Sequence, residues 1–125
     1  MQLQRSESPT IETMLVWLCS IPSPTGEEQV IADSLSEFLC RLGVVKERIH
    51  RYGNSLYVEL TQGRPGPNVA LVGHTDVVRT QHDAPPRIEG DRIYGPGASD
   101  MKSGLALMLG LVTNPLDITA NLTLI

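Results

Sequence analysis

An α/β fold, built as a mixed sheet flanked by helices, is predicted by three features of this 125-residue sequence. Helical and strand-like patterns follow in the order helix, helix, strand, strand, strand, hairpin, helix, strand, which calls for helices packed on a sheet. The apolar period changes from helical to alternating after Gly43. Residues 69–72 (Val-Ala-Leu-Val) then form a short apolar run closed by Gly73, the pattern of a strand buried on both faces.

Each element has its own signal. Ser8-Pro9 ahead of Ile11, Met14, Leu15 and Leu18 predicts a helix with Ser8 as N-cap and proline in the first turn. Pro22 and Pro24 stop it near Ile21. The turn Ser23-Pro24-Thr25-Gly26-Glu27-Glu28 leads into a second helix, where Val30, Ile31, Leu35, Phe38, Leu39 and Leu42 recur at helical spacing. Glu27 and Glu28 in its first turn and Arg41 in its last suit the helix dipole, and Gly43 ends it.

Residues 44–51 and 55–60 read as strands around the turn Tyr52-Gly53-Asn54. A loop over 63–67 precedes the buried strand, and the polar, proline-rich residues 80–86 read as a surface loop. Residues 87–89 and 92–94 flank Gly90-Asp91, a two-residue hairpin signal. Residues 101–112 form a mostly apolar helix whose two internal glycines predict close packing on the sheet, and Asn114-Pro115 breaks it. Residues 121–125 open a last apolar strand. A strand ending at Leu124-Ile125 would expose unpaired backbone, so the chain is expected to be a truncated part of a larger domain.

Composition narrows the function classes. A net charge of −4, with no cluster of Lys or Arg, argues against a nucleic-acid surface. The polar N-terminal stretch lacks the apolar core of a signal peptide, and no apolar run approaches a membrane span, so a cytoplasmic protein is expected. In that compartment Cys19 and Cys40 read as two buried free thiols, and the absence of a Cys-x-x-Cys pair leaves a zinc knuckle unsupported.

The chemistry gathers between residues 68 and 104. His74 and Asp76 follow the apolar strand directly, where ligands collect in open α/β sheets. Asp100 follows a glycine-rich loop and precedes the third helix. His74 can offer an imidazole nitrogen and Asp100 a carboxylate to zinc, and a single carboxylate can bridge two ions. Asp76 is placed to accept a hydrogen bond from the other ring nitrogen of His74. Spacing alone leaves open a hydrogen-bonded histidine and an N-capping aspartate. His50 and His82 have nothing convergent near them and are expected to face solvent. Gly95-Pro96-Gly97-Ala98-Ser99-Asp100 lacks the third glycine of a dinucleotide loop, Lys102-Ser103 lacks the phosphate-loop spacing, and Ser99 is outside a nucleophile-elbow pattern.

Together these residues resemble a known family. Gly-His-Thr-Asp-Val-Val over 73–78 and Gly-Asp-Arg-Ile-Tyr-Gly-Pro-Gly-Ala-Ser-Asp-Met-Lys-Ser-Gly over 90–104 are similar to the dizinc amidohydrolases and peptidases. That family includes succinyl-diaminopimelate desuccinylase, acetylornithine deacetylase, aminoacylase and glutamate carboxypeptidases. Residues 23–28 and 52–54 resemble its upstream segments. The resemblance implies that His74 binds one zinc and Asp100 bridges two, with cobalt or manganese as substitutes. It implies that Asp76 is the catalytic-site residue that orients His74, and that the Asp100–Met101 peptide bond is cis.

On this resemblance residues 1–125 are the N-terminal portion of a metallohydrolase catalytic domain. The general base, the remaining metal ligands and a lid domain that supports a homodimer are expected beyond Ile125. The implied reaction is hydrolysis of the amide bond of an N-acyl amino acid or small peptide, with desuccinylase first among the substrate classes. Acetylornithine deacetylase or dipeptidase activity, and a non-catalytic metal-binding fragment, are the alternatives. The isolated chain is expected to bind zinc weakly and to be inactive.

Overall fold

The computed structural model describes residues 8–79, 84–114 and 117–125. Its elements are α1 (Ile11–Cys19), α2 (Gln29–Arg41), β1 (Ile49–Tyr52), β2 (Ser55–Glu59), β3 (Asn68–Leu71), β4 (Arg87–Glu89), β5 (Arg92–Tyr94), α3 (Ser103–Thr113) and β6 (Asn121–Leu124). The predicted class holds. A four-stranded mixed sheet runs in the order β1-β2-β6-β3, antiparallel except for the parallel β3–β6 pair. The parallel pair needs a long crossover, and the hairpin and α3 lie within it.

One apolar cluster joins helices and sheet. Met14 and Leu18 of α1, Ile31, Leu35, Phe38 and Leu39 of α2 and Leu105, Ala106 and Leu109 of α3 share it with Val58, Leu122 and Leu124 of the sheet. Trp17 and Phe38 meet at 4.6 Å between ring centroids and fasten α1 to α2. The β4–β5 hairpin stands apart as a two-stranded ribbon, with Gly90 at φ +62 in the predicted turn. Among the described residues no helix is long and apolar enough to cross a membrane.

Several local expectations are corrected. The N-cap of α1 is Thr10 rather than Ser8, because the Thr10 hydroxyl accepts the Thr13 N–H at 3.2 Å. Glu27 and Glu28 precede α2 instead of occupying its first turn, and the Glu28 side chain accepts the Gly26 N–H. The predicted strand over 44–51 begins as a single 3₁₀ turn at Lys46–Arg48 and becomes extended only from Ile49.

β3 is an edge strand, with Val69 and Ala70 exposed, so the apolar run is not buried on both faces. The close approach at Gly110 is to α1 rather than the sheet: a Cβ there would lie 3.1 Å from Ile11. Cys19 is buried but Cys40 is exposed, and both are free thiols. His50 is half-buried beside Tyr57, with Nε2 3.7 Å from Glu59, and does not face open solvent. His82 lies outside the described residues.

Candidate metal centre

Two loops carry the candidate residues, and backbone contacts bring them together. After β3 the chain continues through Gly73, whose N–H donates to the Ile125 carbonyl at 2.9 Å. A Cβ on Gly73 would sit 2.8 Å from Met101 Cε and 3.0 Å from Leu105 Cδ2. Only glycine lets the end of the strand lie against the loop before α3. That contact sets His74 beside Asp100.

The next residues are gripped from the other side. Val77 N–H donates to Ser23 O at 2.9 Å and Thr25 N–H donates to Val77 O at 3.1 Å. The Ser23 hydroxyl, fully buried, donates to Thr75 O at 2.7 Å. Residues 23–25 thus run beside 75–77 as a short parallel bridge. Ser23→Ala removes a buried donor and strands the Thr75 carbonyl, so a loss of about 1–2 kcal/mol is expected in urea unfolding.

The second loop is bent by Gly97, at φ +76, where a Cβ would meet Val77 Cγ1 at 2.3 Å. Lys102 N–H returns to Gly97 O at 2.8 Å. Asp100 and Met101 have non-helical backbone angles, so α3 starts only at Ser103, two residues later than predicted. The Asp100–Met101 peptide bond is cis, as the family resemblance implies. Lys102 is buried, and its ammonium donates to the carbonyls of Leu18 and Ile21 at 2.8 and 2.9 Å. This ties the loop to the end of α1.

The outcome is a chain of polar contacts. His74 Nε2 lies 3.0 Å from Asp100 Oδ1, while Nδ1 lies 3.0 Å from the Asp76 carbonyl and 3.1 Å from Asp76 Oδ1. The Thr25 hydroxyl donates to Asp76 Oδ2 at 2.7 Å. With two oxygen acceptors at Nδ1, that nitrogen carries the proton of a neutral ring. The lone pair of Nε2 then points at a carboxylate oxygen, and such a pair is stable only with a proton or a metal cation between them.

The electrostatics agree. Burial pulls the His74 pKa down, but the Asp76 carbonyl and the hydrogen bond and charge of Asp100 outweigh it and leave it raised. The Thr25 hydroxyl is foremost in holding the Asp76 carboxyl below its ordinary range. The Asp100 side chain is 85% exposed and that of His74 46%, so the pair lies at the surface, open to solvent.

A nitrogen and a carboxylate oxygen facing one another fit the donor chemistry of zinc. Among the described residues no three His, Cys, Asp or Glu side chains converge on one point. Asp76 approaches the imidazole from the opposite nitrogen, so only His74 Nε2 and the Asp100 carboxylate face one another across the open side of the ring. A cavity of about 370 Å³ opens beside His74 and Asp76, with Leu35, Leu56, Leu105 and Leu124 among its walls.

Three supporting residues escaped the sequence reading: Ser23, Thr25 and Lys102. Ser23 and Thr25 looked like turn formers and Lys102 like part of a failed phosphate loop. Their partners lie 52, 51 and 84 residues away, beyond the reach of local spacing.

The chain is similar to known proteins. Residues 70–123 match the model of "Peptidase family M20/M25/M40", in line with the resemblance read from the motifs of the sequence. The chain is 38% identical over 92 residues to a succinyl-diaminopimelate desuccinylase of Corynebacterium glutamicum, an alignment covering 74% of this chain and 25% of that protein. It is 34% identical over 117 residues to carboxypeptidase G2 of a Pseudomonas species, covering 86% of this chain and 28% of the relative. An M20 family metallo-carboxypeptidase of Sulfolobus solfataricus has the same fold, with a TM-score of 0.75 at 24% identity over 93% of this chain and 30% of its own. The chain therefore spans roughly a quarter of the length of the curated relatives it matches. These relatives are named as a desuccinylase and carboxypeptidases, and the M20 metallopeptidase family that the match points to implies a metal cofactor.

Proposed function

We propose that this chain supplies one side of the metal centre of a two-zinc hydrolase that cleaves the amide bond of N-acyl amino acids or small peptides. The observation that carries the reading is His74 Nε2 facing Asp100 Oδ1 at 3.0 Å, with Nδ1 already committed to Asp76. His74 would hold one ion and Asp100 would bridge both. When bound, the ions would polarise the amide carbonyl and supply a nucleophile at neutral pH. Asp76 keeps the proton on Nδ1 and the lone pair on Nε2, and so keeps His74 in its ligating form. The general base and the remaining ligands would come from the three quarters of the relatives' length that this chain does not span.

A desuccinylase-like preference is supported by the 38% identity to the Corynebacterium protein. The 34% identity to carboxypeptidase G2 favours a second reading, removal of a terminal amino acid from an N-substituted substrate. Both reactions break an amide beside a carboxylate, and the chemistry required of His74, Asp76 and Asp100 is the same. A panel of N-succinyl, N-acetyl and peptide substrates, offered to the full-length protein with and without chelator, separates them. Chelator-insensitive turnover would defeat the metal reading.

The 125-residue chain alone is expected to bind zinc weakly and to hydrolyse none of these substrates above the buffer rate. Two ligands fall short of the three that hold a catalytic zinc. Enzymatic turnover by the isolated chain would contradict this, and a stoppered pH-stat assay suffices to look for it.

A further inference from the structure

We propose that Thr25 is a positioning residue of the metal centre, holding the Asp76 carboxylate in the plane from which it fixes His74. The inference rests on the metal reading above and extends it to a residue outside the two central motifs. It stands on geometry. Each Asp76 carboxylate oxygen has a different partner: Oδ1 faces His74 Nδ1 at 3.1 Å, and Oδ2 accepts the Thr25 hydroxyl at 2.7 Å. Two bonds on the two oxygens prevent the carboxylate from rotating about its last torsion, a motion that is otherwise soft.

Thr25 is itself held by two independent means. Its N–H donates to Val77 O at 3.1 Å, and the preceding Ser23 accepts Val77 N–H at 2.9 Å while its hydroxyl donates to Thr75 O. Val77, after Asp76, is therefore clamped to the backbone on both sides of Pro24, while Thr75, before it, is held by the Ser23 hydroxyl. The Thr25 hydroxyl then adds a bond to the side chain that the clamp brings within reach. A sequence of donors and acceptors results, running from Thr25 through Asp76 and His74 to Asp100.

Loss of the hydroxyl leaves Asp76 Oδ2 without this partner and lets the carboxylate turn toward water. The Asp76 carbonyl stays 3.0 Å from Nδ1, so His74 keeps one anchor and loses the other. The expected effect is accordingly partial. Thr25→Val is nearly isosteric and keeps the backbone bond to Val77 O, so the fold is retained.

The test measures zinc affinity of the full-length protein, which supplies the remaining ligands, by competition with a chromophoric chelator. Thr25→Val is expected to weaken binding about tenfold, the lower end of the cost of losing a metal ligand's outer partner. Thr25→Ser, which restores the hydroxyl, is expected to recover affinity to within about twofold of the parent, and Thr25→Val introduced into Asp76→Ala is expected to change it by no more than that. Melting curves of the variants establish that they are folded. A parent chain that binds zinc with the same affinity as Thr25→Val overturns the positioning role and leaves the metal reading intact. A parent that binds no zinc overturns both. Equal losses from Thr25→Val with and without the Asp76 carboxylate assign Thr25 to the scaffold alone and also overturn the proposal.

Discussion

Asp100→Ala in the full-length protein is expected to remove both metal ions and, with them, turnover. His74→Ala is expected to remove one. The difference follows from the roles proposed for the two side chains: an imidazole nitrogen can serve a single ion, whereas a carboxylate can serve two. Metal content per chain, measured after exhaustive dialysis, reads the difference directly. The loss in kcat/KM should exceed the roughly 10–100-fold that removal of a ligand's outer partner costs.

Asp100→Asn is the sharper version of the experiment. The amide keeps the volume and one carbonyl oxygen but lacks the negative charge, and its nitrogen carries protons where a second metal would bind. The exposed position of the Asp100 side chain makes a folding defect from either change small, since neither removes a buried contact. An Asp100→Asn protein with full metal content and parental activity would end the bridging assignment. One that keeps a single ion would convert the centre to a mononuclear one.

How much of this was legible in the sequence depends on the distance over which each residue acts. His74, Asp76 and Asp100 could be named because each follows its own local signal: the end of an apolar strand, a spacing of two, and a glycine-rich loop before a helix. Their convergence was not local. It depends on Gly73 lying against Met101, a contact that no periodicity reports. The β4–β5 hairpin was readable from Gly90-Asp91 because a two-residue turn sets its own register.

β3 was misjudged for the opposite reason. An apolar run reveals that a strand prefers burial, while the neighbours that bury it are set by topology, and here its only strand partner among the described residues is β6. The start of α1 failed on chemistry at finer scale. Ser8 and Thr10 are both good caps, and the choice between them rests on which hydroxyl reaches an unpaired N–H. Lys102 was missed because Lys102-Ser103 was weighed only against the spacing of a phosphate loop. Its burial is visible only once α1 is packed against the loop.

That burial makes Lys102 the residue whose loss should cost the fold most among those near the site. It is 1% exposed, and its ammonium donates to Leu18 O and Ile21 O where α1 ends and the chain turns into residues 22–25. Burial pushes its pKa down, with the neighbouring Cys19 opposing. The Leu18 carbonyl also accepts the Ile21 N–H at 3.2 Å, so the acceptor more exposed to loss is Ile21 O. Hydrogen bonds from a charged donor contribute about 1.5–3 kcal/mol each, and removing the ammonium relieves part of its desolvation cost.

Lys102→Met, which preserves most of the volume, is therefore expected to destabilise the chain by about 2–3 kcal/mol. Lys102→Ala adds a cavity beneath α1 and should cost about 1–2 kcal/mol more. Urea unfolding at constant slope measures both, and the midpoint should fall in the order parent, methionine, alanine. The same substitutions should weaken zinc binding, because the loop that carries Asp100 is anchored on this side chain two residues later. A methionine variant as stable as the parent would mean that the tie between α1 and the Asp100 loop is carried by apolar contact, and the ammonium would have no part in placing the carboxylate.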